Sequence, residues 1–267
     1  MGNTVSGESE SVIGTNGLRY GWKRDIPDHR DLYVSFEAPE QGNDIVDLRE
    51  KCPPIYDQGK LGSCTANAIA FAYQFDELKQ NEQNEFIPSR LFIYYNERDM
   101  EGTTNYDAGA AIRDGIKSIN KQGVCTEDMW EYDISKFTEK PDQSCYEYAL
   151  GHHSLKYQKV NQTLDSIKGA LNSGLPIVFG FTVYESFESS ETAQSGMVSM
   201  PKSDEKVLGG HAVTIVGYNE ELMRFIVRNS WGEGWGDNGY CYFPYDYITN
   251  VNLCSDFWIV QKITENN

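Results

Sequence analysis

A thiol, an imidazole and two carboxamides stand in settings where each could do chemistry. Cys64 closes the glycine-rich run Asp57-Gln58-Gly59-Lys60-Leu61-Gly62-Ser63-Cys64 and leads into a segment spaced as a buried helix, with Ala66, Ile69, Ala70, Tyr73, Phe75 and Leu78 at mixed three- and four-residue intervals. A thiol at a helix N-terminus lies beside unpaired N–H groups and the positive end of the macrodipole. Both lower its pKa and favour the thiolate, the nucleophilic form. The competing reading is a small buried hydrophobe. Six residues upstream, Gln58 can offer a carboxamide N–H that, with the Cys64 backbone N–H, would hold the oxyanion of a tetrahedral intermediate. Such a donor is worth roughly 3 kcal/mol; a turn-stabilising glutamine is the alternative.

A base and its orienter come later in the chain. His211 follows Gly209-Gly210 and opens the β-branched run Ala212-Val213-Thr214-Ile215-Val216, so it lies at a strand start that a cleft can expose. A core histidine is the plainer reading. Asn229, in Arg228-Asn229-Ser230-Trp231-Gly232-Glu233-Gly234-Trp235-Gly236, carries an oxygen able to accept the second ring N–H of His211, fixing its tautomer. Trp231 and Trp235 would roof that bond against water. Without it, the run is a turn anchored by tryptophans.

Together these residues resemble the papain-like cysteine peptidases. The order Gln58, Cys64, His211, Asn229 matches, as does the Asn-Ser-Trp-Gly-x-x-Trp-Gly-x-x-Gly-Tyr run ending at Tyr240. The cysteine-to-histidine separation of about 150 residues is the family's. Two signature positions depart from the pattern, Leu61 standing where the family has a cysteine and Thr65 where it has an aromatic residue. Gly62-Ser63-Cys64-Thr65-Ala66-Asn67-Ala68 is similar to a branch found in bacteria and large viruses. The resemblance implies that a Cys64 thiolate and a His211 imidazolium attack a peptide carbonyl, that Gln58 serves the oxyanion and that Asn229 orients His211. It also puts Gly109 and Ala110 at an edge that pairs with extended substrate, Gly180 and Gly210 around the specificity pocket, and Trp231 against bound substrate. Small residues there leave room for an apolar or aromatic side chain. Endopeptidase, exopeptidase and a non-enzymatic peptide-binding relative all remain open, the second needing an element that blocks the cleft.

Composition fits a folded enzyme. The 267 residues are 39% hydrophobic and 13% aromatic, enough for a full core. Lys plus Arg number 23 against 40 Asp plus Glu, a formal charge of −17, which argues against nucleic acid as a partner and mildly favours basic substrates or an acidic working pH; the resemblance implies a protein or peptide substrate. No apolar run spans a membrane and no signal-peptide core opens the chain, so an intracellular or virus-particle location is expected, as a monomer. The six cysteines, Cys52, Cys64, Cys125, Cys145, Cys241 and Cys254, form no C-x-x-C pair, which argues against a zinc site, and no cofactor is expected. With no secretory signal, and with the positions where secreted members of the resembled family place bridge partners empty, a reducing compartment is expected. His152-His153 reads as a solvated loop.

Residues 1–45 form an N-terminal extension or short pro-segment. Met1-Gly2-Asn3-Thr4-Val5-Ser6 matches the N-myristoylation pattern, and with no polybasic run a single acyl chain on Gly2 would give weak, reversible membrane association. Trp22, Ile26, Leu32 and Tyr33 need burial that so short a segment cannot supply alone. The expectation is that residues before about Val46 restrain access to Cys64; a packed extension that is never removed is the alternative.

The peptidase domain is expected over 46–267. Its first part, 46–150, reads as helical: the Cys64 helix, one starting near Pro88, and one from Ala108 through Ile112, Ile116 and Ile119 to Gly123. The second part, 151–267, reads as a helix capped by Thr163 and stopped at Gly174, then strands at Ile177–Phe179, Ala212–Tyr218, Phe225–Arg228, Tyr240–Phe243 and Phe257–Val260. Helices followed by strands give an α+β class. The resemblance makes this a papain-like two-lobed fold, with a helical left lobe, a β-barrel-like right lobe and the active-site cleft between them.

Overall fold

Alanines dominate one helix and let it lie at the centre of the molecule. In the structure, a computed structural model describing residues 12–13, 17, 19–37, 43–80, 86–153 and 155–262, α1 (Cys64–Gln80) is buried on every side from Cys64 to Glu77. Ala66, Ala68, Ala70 and Ala72 permit close approach of neighbouring backbone, while Phe71 and Phe75 enter one apolar cluster and Ile69 and Tyr73 another. A helix apolar all round must be interior. The myristoylation pattern at Gly2 lies outside the described residues.

The second cluster is built with α2 (Arg90–Glu101) and α3 (Ile112–Gln122). Ser89 caps α2, its hydroxyl accepting from Phe92 N at 3.1 Å, so the helix begins two residues after Pro88. The third helix starts later than its apolar spacing suggests. Ala110–Ala111 are extended, and Ile112 is its first helical residue. The reason is a partner: Ala110 N donates to Gly21 O at 2.7 Å, which holds those two residues as a strand edge.

The first cluster lies within a predominantly antiparallel sheet. Short strands open the chain: β1 (Val12–Ile13), β2 (Arg19–Tyr20), β3 (Trp22–Lys23), β4 (Tyr33–Val34) and β5 (Ile45–Asp47), with β6 being Ala110–Ala111. After α4 (Gln143–Ala149) come β7 (Leu155–Val160), α5 (Leu164–Asn172), β8 (Ile177–Tyr184), α6 (Ser190–Ser195), β9 (Val207–Asn219), β10 (Arg224–Arg228), β11 (Tyr240–Pro244), α7 (Tyr245–Thr249) and β12 (Cys254–Lys262). The sheet order is β11-β10-β9-β8-β12-β7-β4, with β5 added alongside β9. Thr163 caps α5, accepting from Ser166 N at 3.3 Å, and Gly174 follows it at φ +70°. His152 departs from expectation. Its ring packs against both Phe86 and Tyr148, at 4.6 and 4.9 Å, because the loop after α4 folds back on these aromatics.

Residues 19–37 are woven into this body. β3 runs parallel to β6, and β4 runs parallel to β7. Between them Asp25 accepts from Arg113 N at 3.1 Å and Trp258 Nε1 at 2.9 Å, and its own N–H donates to Asp256 at 2.8 Å. Asp31 grips the Arg113 guanidinium, and Lys159 Nζ lies 3.4–3.7 Å from Asp25, Asp31 and Asp256. Buried charges persist only with such partners, so the segment is fastened by groups costly to strip.

Candidate active site

Backbone bonds join the Gln58 turn to the Asn229 run. Gln58 N donates to Ser230 O at 2.9 Å and Gly232 N to Tyr56 O at 3.0 Å. The Gln58 carboxamide is clamped at both ends, Nε2 donating to Leu61 O at 2.9 Å and Oε1 accepting from Ser230 Oγ at 2.7 Å. Arg228, fully paired within β9–β11, holds the approach by donating to Pro53 O at 2.6 Å and to Pro54 O. The glycine turn is fixed from the other side: the Asp107 carboxylate accepts from Gly62 N at 3.1 Å and from Tyr94 Oη, which in turn accepts from Gly109 N at 3.1 Å. One carboxylate thus sets both the turn before Cys64 and the Gly109-Ala110 edge.

His211 sits on β9 opposite Phe181 of β8, with Asn229 just past the end of β10. Its Nε2 meets Asn229 Oδ1 at 2.8 Å, the same oxygen accepting from Ser230 N at 2.8 Å. A carbonyl oxygen can only accept, so Nε2 carries the hydrogen and Nδ1 has the lone pair of the neutral ring. Trp231 stacks on the imidazole at 4.9 Å and 29°, and Trp235 meets Trp231 edge-on at 5.2 Å. The expected roof is in place.

Cys64, Gln58 and His211 have no exposed surface, and Asn229 has 2%. The cover is Tyr20-Gly21-Trp22, lying across the thiol. Gly21 is the contact point, since a Cβ there would fall 1.7 Å from Gly62 O. The Trp22 ring lies over two further glycines: a Cβ on Gly180 would meet its Cε2 at 1.9 Å, and one on Gly210 its Cε3 at 2.8 Å. The two glycines expected to border a specificity pocket are thus in contact with the chain's own tryptophan. A cavity of about 740 Å³ lies elsewhere, beside Arg24–Tyr33, Lys159 and Asp256.

This cover reverses the expected electrostatics. Burial pushes the Cys64 thiol up to about 12, against backbone N–H groups of Ala212, Gly21 and Thr65 that favour the thiolate. Burial also pushes His211 down to about 4, against its bond to Asn229. Desolvation penalises both charged forms and outweighs the helix terminus. The pair is therefore neutral while the segment is in place.

The resemblance is borne out by comparison with known proteins. Residues 42–257 match the family model for papain family cysteine proteases. The chain belongs to the papain family of cysteine proteases. A peptidase C1-like protein of Acanthamoeba polyphaga mimivirus is 48% identical over 96% of this chain and 89% of its own length. Mouse pro-cathepsin H is 28% identical over 73% of this chain, which spans only 58% of that relative. The crystal structure of xylellain, a cysteine protease from Xylella fastidiosa, superposes with a TM-score of 0.86 at 41% identity, covering 98% of this chain and 100% of that one. Procathepsin L 3 of Tenebrio molitor, at 18% identity and TM-score 0.64 over 88% and 75% of the two chains, shares the fold. This papain-family member is a cysteine peptidase of α+β class, as its sequence implies.

Some members of the site escape sequence reading. Asp107 and Tyr94 act through bonds to residues away from them in sequence, and nothing in their local pattern marks them; Ser230 lies in the Asn-Ser-Trp run, but its bond to Gln58 reaches across the chain. Gly21 carried a signal, a glycine between two aromatics, though its cleft position depends on packing against Gly62 and Gly109. All six cysteines are free thiols.

Proposed function

We propose that this chain is an endopeptidase that uses Cys64 as nucleophile and His211 as base, and that it is held latent by its own residues 20–22. The observation that carries the reading is the placement of Gly21 against Gly62, its backbone at the Cys64 thiol, with Tyr20 beside His211 and Trp22 over Gly180 and Gly210. Once the segment lifts, solvent stabilises a thiolate–imidazolium pair. The thiolate attacks the peptide carbonyl, Gln58 and the Cys64 N–H hold the oxyanion, and His211 gives its proton to the leaving amine and later activates water. Asn229 keeps the imidazole in register through Nε2.

Direction explains how the segment rests at the site uncut. The leaving amine belongs to the C-terminal side of a substrate, so that side runs along His211 and Trp231. Tyr20, on the N-terminal side of Gly21, lies on that wall instead, and the chain crosses in reverse. It sets an N–H against the thiol where a substrate must set a carbonyl carbon.

Gly109, Ala110, Gly180, Gly210 and Trp231 are assigned to substrate. The Ala110 edge now taken by Gly21 would pair with an extended peptide, and the space now taken by an indole would accept an aromatic or large apolar side chain. The domain reading follows: residues before about Val46 are the restraint, and 46–267 form the peptidase. No helix among the described residues is long and apolar enough to cross a membrane. A viral relative supports an intracellular or virus-particle location, and the chain is assigned as a monomer acting on protein or peptide. Full-length Gly21→Ala chain and blocked internally quenched peptides test the proposal. Internal cleavage supports an endopeptidase, whereas cleavage only of peptides with a free terminus supports an exopeptidase.

A further inference from the structure

The wall beside His211 carries a carboxylate that the mechanism above does not use. Tyr20 is 4% exposed; its ring meets His211 edge-on at 5.9 Å and lies 6.1 Å from Trp231. A Cβ on Gly209 would come within 2.7 Å of the Tyr20 Cβ, so only glycine leaves room for this side chain. At the far end of the slot the phenol donates to Glu188 Oε1.

Glu188 is held firmly. It ends the 3-10 turn Glu185–Glu188, and Ser189 immediately caps α6 by accepting from Thr192 N at 3.1 Å. Phe187, 2% exposed, wedges the turn against Trp231 at 5.5 Å, Trp235 at 5.4 Å and Phe181 at 5.0 Å. The turn is tied again by Ser186 N, which donates to Glu205 at 3.0 Å. A half-buried acceptor thus stands at a fixed place at the end of an aromatic slot whose other wall is the proposed general base.

We infer that Glu188 is a specificity-determining residue that selects tyrosine immediately after the scissile bond, its carboxylate accepting the substrate phenol. The inference rests on the reading that Cys64 and His211 hydrolyse peptides, because that reading places the leaving-group residue along His211. The slot's rings suit a flat side chain, and a carboxylate can accept but not donate. Phenylalanine fills the slot but forms no bond to the carboxylate, and a site built to bond a substrate hydroxyl discriminates against the analogue lacking it. Partial exposure of Glu188 keeps the effect well below that of a sealed site. Tyr20 is then a pseudo-substrate occupant of this subsite, reached from the opposite chain direction.

The test uses full-length Gly21→Ala protein and two end-blocked quenched peptides that differ only in having Tyr or Phe after the bond cut, with the cut verified by product mass. The expected kcat/KM ratio, Tyr over Phe, is about tenfold. Glu188→Ala in that background should bring the ratio within about twofold of one, and Glu188→Gln, an uncharged acceptor, should fall between. A ratio near one before Glu188 is changed, or a tyrosine preference that survives Glu188→Ala, overturns the assignment. Equal cleavage of both peptides removes Glu188 alone. A folded Gly21→Ala chain that cuts neither peptide removes the peptidase reading with it.

Discussion

Adding one methyl group to Gly21 should unlock the enzyme. The Cβ of Gly21→Ala would fall 1.7 Å from Gly62 O, where an ordinary contact needs more than 3 Å. Gly62 cannot yield, because its N–H is held by Asp107 at 3.1 Å and it leads into the buried start of α1. The segment must therefore lift by about 1.5 Å, which breaks the 2.7 Å bond from Ala110 N to Gly21 O. Overpacking of this kind costs about 1–3 kcal/mol and the lost bond about 1 kcal/mol. The covered state then loses roughly 2–4 kcal/mol, a rise of about 30- to 1,000-fold in the uncovered fraction. Anchorage at Asp25 and Asp31 lies beyond the disturbance, so the fold should persist. The assay is the rate at which a peptidyl electrophile adds to the intact protein, read by mass. Gly234→Ala, where a Cβ meets nothing within 4 Å, is the control and should label at the wild-type rate. Equal slow labelling of Gly21→Ala and wild type would refute the claim that residues 20–22 limit access; equal rapid labelling would make them bystanders.

Asn229→Ala should lower kcat at least tenfold and destabilise the fold by about 1–3 kcal/mol, because His211 Nε2 and Ser230 N both lose their acceptor. Peptide turnover and denaturant midpoints measure the two effects, and an unchanged kcat would remove the orienting role. Asp25→Ala should cost about 3–5 kcal/mol, since it strips the acceptor from Trp258 Nε1 and Arg113 N and a counter-charge from Lys159. A change under about 1 kcal/mol in thermal unfolding would contradict this. The same reasoning makes a chain beginning at Val46 a blunt test, as it deletes Asp25 and Asp31 together. With the thiol replaced in Cys64→Ser protein, no thiolate holds the uncovered imidazolium and covering should weaken in acid. His211 is lowered to about 4 when covered, from 6.5 ordinarily, so between those values the uncovered imidazole of Cys64→Ser takes a proton that the covered one refuses. Stability of its covered state falls as pH drops through that window, by roughly 3 kcal/mol in all. Hydrogen exchange at Gly21 and Trp22 of Cys64→Ser, corrected for intrinsic rate, should show more opening at about pH 5 than at about pH 7.5. His211→Gln should flatten this slope, separating it from protonation of the Asp25, Asp31 and Asp256 anchors, and an unaltered slope would remove His211 as the cause.

Local patterns carried much of this fold and site into the sequence. The buried α1, the Thr163 cap and the strands β8 to β12 follow from spacing, capping residues and β-branched runs that act over a few residues. The Gln58, Cys64, His211, Asn229 set was legible because each stands in a distinctive glycine- or tryptophan-rich setting. What remained hidden depends on contacts across the chain. Ala110–Ala111 look like a helix start until Gly21 pairs with them, and β7, which has no strict alternation to mark it, is fixed by pairing with β4 on one edge and β12 on the other. The Cys64 pKa in the covered state runs opposite to what the helix terminus implies, since the helix terminus is local while the burial that raises it comes from a segment far upstream. Glu188 is one of many exposed-looking acids in sequence, and its place in the slot comes from Phe187 packing under Trp231.

The central claim is that Cys64 is the nucleophile, lying under residues 20–22. Peptide mapping of full-length Gly21→Ala protein after brief exposure to a peptidyl electrophile tests it most directly, with Cys64→Ser and His211→Ala in the same background. The account predicts a single adduct, located on Cys64, lost in Cys64→Ser and slowed at least a hundredfold in His211→Ala. An adduct on Cys52 or another of the free thiols, or labelling of Cys64 at an undiminished rate without His211, would contradict it.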